Sequence, residues 1–215
     1  MTDTIPSDDL FFAETGLERD AALRLTEDAL INSDDGELFL EYRQSENLVF
    51  DDGQLRTASF DVNQGFGLRA VCGETSAYAH SAELSQAALA RAAETVRSIQ
   101  SGSGDVSAAP PRTNVSLYSD DNPVLAMAFE EKVRLLQQVD EFARNLDDRV
   151  RQVTVSLAGE WQAVDIIRPG GHTVSDRRPL VRFNVSVVTG EGEKRGSGVY
   201  GAGGRSNYAS FIATG

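Results

Sequence analysis

The side chains that could do chemistry in this 215-residue sequence are few: two histidines, one cysteine and a glycine-rich stretch near residue 200. His80 is followed by Ser81-Ala82-Glu83 and His172 by Thr173-Val174-Ser175, so neither opens an H-E-x-x-H or H-E-x-x-x-H helix. A helical zinc site needs two imidazoles about one turn apart on the same face, and neither histidine has such a neighbour. The residues predict His80 at the end of a strand and His172 in a hairpin. A small-molecule binder or hydrolase using both histidines and nearby acids stays open at this level. Cys72 stands alone, which rules out an internal disulfide and a multi-thiolate zinc site. It closes the run Phe66-Gly67-Leu68-Arg69-Ala70-Val71-Cys72, whose alternation predicts a buried strand thiol.

Gly196-Ser197-Gly198-Val199-Tyr200-Gly201 spells G-x-G-x-x-G. A dinucleotide site needs those glycines between a strand and a helix, with an acid ~20 residues further on. Tyr200-Gly201-Ala202-Gly203-Gly204 continues without helical periodicity instead, which predicts bulges or the close approach of another backbone. An extended peptide or a second subunit can pair with such an edge through main-chain hydrogen bonds. Gly196, Gly198, Gly201, Gly203, Gly204 and Arg205 are therefore the candidate contact residues. No Walker A sequence and no Gly-x-Ser-x-Gly elbow occurs.

These residues must be positioned by a scaffold, and the composition describes a globular one: 40% hydrophobic and 25% charged residues. A formal net charge of −13 argues against a nucleic-acid surface, which needs clustered Lys and Arg. No apolar run approaches the ~20 residues that span a bilayer. The first nine residues carry acids and no Lys or Arg, unlike a signal peptide, so a cytoplasmic location is expected.

The pattern of elements is read twice. Ser7 with Asp8 and Asp9 predicts a short first helix ended by Gly16, and Leu17, Ala21, Leu25 and Ala29 predict a second from Leu17 to Ile31. Strand-like segments follow at Glu37–Arg43, Leu48–Phe50, Leu55–Val62, Gly65–Cys72 and Thr75–His80, with Asp51-Asp52-Gly53 as a hairpin turn. Ser85 predicts a cap for a closing helix with Leu89, Ala92, Val96 and Ile99 on its buried stripe. Residues 101–128, with their Gly/Ser and Pro pairs, form a connector between a unit spanning 1–100 and a second spanning 129–215. In the second unit a helix from Phe129 to Leu146, with Val133, Leu136, Val139, Ala143 and Leu146 on one side, precedes strands at Val153–Leu157, Trp161–Ile167, Leu180–Val188 and Lys194–Tyr200. The fold class expected is α+β: an internally duplicated helix plus antiparallel β-meander of four or five strands, the second unit lacking its closing helix. A sheet left in that state exposes apolar surface and unpaired edges, the mark of an incomplete chain.

The stretch Asp61-Val62-Asn63-Gln64-Gly65-Phe66-Gly67-Leu68-Arg69-Ala70-Val71-Cys72-Gly73-Glu74 resembles the N-terminal signature of TldD proteins. Val150-Arg151-Gln152-Val153-Thr154, Arg178-Pro179-Leu180-Val181-Arg182 and Gly203-Gly204-Arg205 fit as well, in the order that family shows. The resemblance is to the TldD/PmbA family of zinc metallopeptidases ("modulator of DNA gyrase"), over nearly the whole chain, and Gly65 to Arg69 favours TldD over PmbA, also called TldE. It implies an N-terminal scaffold and subunit-contact part, with zinc held by an H-E-x-x-x-H helix in a C-terminal part. Zinc is thus expected in the complete protein and no cofactor in this chain. It further implies pairing with a TldE-like subunit and action on unfolded peptides, with no nucleic acid and no membrane as partners. The alternative is a non-enzymatic module that pairs with a TldE-like subunit.

Overall fold

A computed structural model describes residues 7–13, 15–98 and 117–209. The chain order is α1 (Ser7–Phe11), α2 (Arg19–Leu30), β1 (Asp35–Asp51), β2 (Gln54–Cys72), β3 (Thr75–Ser81), α3 (Gln86–Arg97), α4 (Phe129–Leu146), β4 (Val150–Arg168), β5 (His172–Glu191) and β6 (Lys194–Gly204). One six-stranded antiparallel sheet, ordered β3-β2-β1-β4-β5-β6, holds both meanders back to back, with β1 against β4 as the seam. The α+β class expected from the sequence is what the chain adopts. No described helix is long and apolar enough to cross a membrane.

Each half contributes three strands, not the four or five expected. Gln44-Ser45-Glu46-Asn47 reads as a break, yet all four residues are laddered to β2 on one side and β4 on the other. Likewise Gly65 and Gly159 sit inside continuous strands of 19 residues each. The real turns are where residues in left-handed conformation permit a two-residue hairpin: Asp52 and Gly53 at φ 49° and 78°, and Gly170 and Gly171 at 81° and 74°. Ile99 and residues 101–116 of the expected connector lie outside the described residues.

The four described helices pack on one face. Leu38, Leu40, Leu48 and Phe50 of β1 share that face with Val153, Val155, Leu157, Trp161 and Ile167 of β4, as period-two alternation requires. The apolar residues fall into two clusters. One, under α1, α2 and α3, gathers Leu38, Leu40, Phe66, Leu68 and Trp161; the other, under α4, gathers Leu48, Phe50, Leu136, Val155 and Leu157. Ser85 caps α3 as expected, its hydroxyl accepting from the Ala88 amide at 3.1 Å.

Helix α4 is rotated from the expected stripe. The residues facing the sheet are Lys132, Leu136, Asp140 and Ala143, whereas Leu146 is 68% exposed. Two ionic residues hold sheet-facing positions because each has a partner there: Glu46 for Lys132 and Arg144 for Asp140. Apolar periodicity alone picks the neighbouring line of the helix.

Candidate functional site

Strand β6 carries five of the six glycine-stretch candidates and pairs with β5 from Val181↔Gly204 to Glu191↔Lys194. Its register never shifts, so the glycines do not make the expected bulge. None of them has positive φ; what they provide is space. A Cβ on Gly203 would lie 2.7 Å from the Val181 carbonyl oxygen, against backbone that cannot yield. A Cβ on Gly198 would meet nothing within 4 Å, leaving that position open. The outer edge of β6 is an edge of the whole sheet. Arg205, just past the strand, is turned back on the chain, its guanidinium carbon 5.4 Å from the Tyr118 ring centroid.

The histidines and the cysteine do not converge. His80, near the end of β3, stacks on Tyr78 with ring centroids 5.6 Å apart. His172 opens β5 beside the Gly170-Gly171 turn. Between these strands lie β2, β1 and β4, four steps of ~4.8 Å, or about 19 Å. Cys72 is the last residue of β2, paired with Thr75 as the strand reading expects but only half-buried, its thiol donating to the Asn32 carbonyl at 3.5 Å. Among the described residues no three His, Cys, Asp or Glu side chains are grouped to hold a metal ion.

Residues that motif reading missed form a buried polar centre between the two apolar clusters. Lys132 Nζ donates to Glu46 Oε1 at 2.6 Å, to Oε2 at 2.8 Å and to the Val124 carbonyl at 2.6 Å. The Tyr208 hydroxyl donates to the same Oε1 at 2.6 Å. These side chains are almost fully shielded, at 3% for Lys132 and 8% for Glu46, and Tyr208 is buried. Burial, reinforced by the carboxylate of Glu46, pushes the Tyr208 phenol well above its ordinary range. Gly159, opposite Glu46 on β4, makes room, because a Cβ there would overlap the Tyr208 hydroxyl. Nearby, Asn122 Nδ2 donates to Gln44 Oε1 at 2.6 Å and the Trp161 indole to the Asp120 carbonyl at 3.3 Å. The centre therefore ties β1, the segment before α4, α4 itself and the segment after β6 to one point. Sealed from solvent, it fixes geometry.

A second buried acid, Asp165, lies 3.7 Å from Arg19 at the start of α2 and 3.9 Å from Arg177 on β5. Arg177 also lies over the Trp161 ring, 5.8 Å from its centroid. In both arrangements a buried carboxylate is matched by cations.

Comparison with known proteins decides what this scaffold belongs to. Residues 36–100 match the PmbA/TldA metallopeptidase domain 1 and residues 122–214 the PmbA/TldA metallopeptidase central domain. The chain belongs to the PmbA/TldD metallopeptidase family. Among its relatives, the metalloprotease TldD homolog of Haemophilus influenzae is 35% identical over 178 residues, covering 81% of this chain and 37% of the relative. The TldD homolog of Buchnera aphidicola from Acyrthosiphon pisum is 29% identical over 214 residues, covering 99% and 44%. TldE from Thermococcus kodakarensis has the same fold, with a TM-score of 0.66 at 15% identity over 86% of this chain and 42% of that one. So does a Bacteroides thetaiotaomicron protein named as a modulator of DNA gyrase, with a TM-score of 0.65 at 16% identity over 87% and 45%. This chain thus spans less than half the length of the curated PmbA/TldD relatives it matches. The family name implies a metal, and the described residues of this chain do not fit one.

Proposed function

We propose that this chain is the scaffold and subunit-contact part of a TldD-type zinc metallopeptidase that degrades or trims unfolded peptides, with zinc and the catalytic groups outside these residues. The observation that carries the reading is a family membership spanning the sheet combined with the absence, among the described residues, of any grouped metal ligands. The outer edge of β6 is the surface offered to a peptide backbone or a subunit, and a TldE-like chain of the same fold is the partner. The two helix-plus-meander halves are an internal duplication, and the protein works in the cytoplasm.

The test is a peptidase assay with zinc analysis. The complete protein, mixed with a TldE-like subunit, is expected to bind zinc and cleave unfolded peptide, while the 215-residue chain does neither. Gly198→Pro at the open position of β6 is expected to raise KM of the complete enzyme without loss of its zinc. Stoichiometric tight zinc in the 215-residue chain would overturn the reading.

A further inference from the structure

Strand β3 is much shorter than β2 and pairs with it only from Phe66↔Ser81 to Cys72↔Thr75. Along residues 54–64 no described strand lies against the edge of β2 that faces away from β1. Every second residue of such an edge turns its amide and carbonyl outward, ready for another strand. Gly65 closes one end of the stretch, because Ser81 and Ala82 cross so near that a Cβ there would lie 2.6 Å from the Ser81 carbonyl oxygen. The turn at Asp52 and Gly53 closes the other.

Other edges of the sheet are guarded. The stretch of β5 that β6 leaves unpaired, ahead of Val181, contains Pro179, which has no amide to offer, and β6 opens with Lys194 and Arg195. Residues 57–64 contain no proline, lysine or arginine. Every residue from Arg56 to Gln64 is exposed, including Phe60 at 53% and Val62 at 48%. Ala58, Phe60 and Val62 stand opposite Leu48, Glu46 and Gln44 of β1, so they form an apolar row on the helix face. Thr57, Ser59 and Asp61 lie on the other face.

We infer that this edge is a contact with a second copy of the chain, in which the two β2 strands run antiparallel across a two-fold axis at Ser59. An axis perpendicular to the sheet keeps each side chain on its own face and brings the same patch of both copies together. Ser59 is the midpoint of 54–64, so the two free stretches span each other. Ala58 then opposes Phe60 and Thr57 opposes Asp61, each twice. Alanine opposite phenylalanine leaves room for the two Phe60 rings to meet on the diagonal, at ~7–8 Å. The Thr57 hydroxyl faces the Asp61 carboxylate, and no like charges stand opposite each other. An axis at Phe60 would set Gln54 against Phe66, which already pairs with Ser81; one at Asp61 would also set that carboxylate against itself. The formal charge of −13 on each copy opposes the encounter at long range, so the pairing strengthens as salt screens it. Strands β2 and β6 border opposite sides of the sheet. The contact therefore leaves the β6 edge open, and the inference stands whether or not the peptidase reading holds.

Disulfide trapping in the complete protein reads the register. In a Cys72→Ala background, Ser59→Cys, Thr57→Cys and Asp61→Cys are made singly and oxidised mildly. Position 59 lies opposite itself, whereas 57 and 61 each lie four residues, ~14 Å, from their own counterparts, beyond disulfide reach. Ser59→Cys is expected to give about tenfold more linked dimer than either of the others alone, and mixed Thr57→Cys and Asp61→Cys chains are expected to link to each other. Sedimentation velocity from about 1 to 100 µM, the range of a small transient interface, is expected to show a dimer that grows with concentration and with salt. Phe60→Lys is expected to abolish that dimer without lowering the melting temperature, since it guards the edge at an exposed position. Linking at 59 no greater than at 57 or 61, or a dimer that survives Phe60→Lys, would overturn the proposal. So would maleimide labelling of Ser59→Cys that is equally slow at every dilution, which would mark another part of the same chain as the occupant.

Discussion

Replacing Lys132 with Met isolates the cost of leaving the buried centre with an unmatched charge. Methionine keeps the length and apolar stem of the side chain but removes the ammonium that supplies three hydrogen bonds. Glu46, 8% exposed, would keep only the Tyr208 hydroxyl, and the Val124 carbonyl would lose this donor. Removing one partner of a buried ion pair costs about 3–5 kcal/mol, far more than at a surface pair, because the remaining charge cannot be solvated in place. At ~2–4 °C per kcal/mol for a chain of this size, Lys132→Met lowers the melting temperature by roughly 6–20 °C. Urea unfolding followed by circular dichroism measures the free energy. The decisive control is the double variant Lys132→Met with Glu46→Gln, which removes both charges and is expected to recover most of the loss. A single variant costing under about 1 kcal/mol, or a double variant no more stable than the single, refutes the reasoning.

Tyr208 gives the centre an alkaline limit. Its folded-state pKa is raised above the ordinary phenol value, so the unfolded chain loses that proton first. The contribution is fully present below pH ~10 and fades as pH rises beyond it, by up to about 1.4 kcal/mol per pH unit. Tyr208→Phe is expected to flatten stability against pH above 10 while lowering it at neutral pH, as pH-resolved urea titrations would show. Gly159→Ala is expected to destabilise by about 1–3 kcal/mol by overpacking the Tyr208 hydroxyl. The same change made in a Tyr208→Ala background should cost far less, and equal costs in the two backgrounds would show that the clash is not its source.

Much of the fold was legible because its signals are local. The Asp52-Gly53 and Gly170-Gly171 turns, the Ser85 cap and the bounds of α4 follow from residue types that a short stretch of backbone demands. Strand length was not legible, since polar residues in the middle of a strand look like a turn until the neighbouring strands are known. Parity did hold a clue: Leu38, Leu40, Tyr42, Gln44, Glu46, Leu48 and Phe50 all fall on the helix face. That alternation places Glu46 in the interior from sequence alone. Its partners, however, lie 86 and 162 residues away, and no spacing rule connects them. The β6 glycines were found by composition, but only the neighbouring β5 backbone separates Gly203, where a side chain would clash, from Gly198, where one would fit.

Why a sheet this long carries an ion pair at its middle follows from its two-helix-layer construction. Strands of 17 to 20 residues extend ~55–65 Å, longer than the 12- and 18-residue helices that cover them, at ~18 and ~27 Å. Two helical groups are therefore needed along one face, and the gap between them is bridged by irregular chain whose amides and carbonyls must find partners. Apolar side chains would leave such groups unsatisfied. Lys132 donates to the Val124 carbonyl and Asn122 Oδ1 accepts from the Val124 and Leu125 amides, while Glu46 and Gln44 hold those two side chains in place. The same residues hold the chain leaving β6 through Tyr208. The polar centre thus joins two otherwise separate cores and pins the chain just after β6, so breaking it is expected to disturb that junction before it disturbs either apolar cluster.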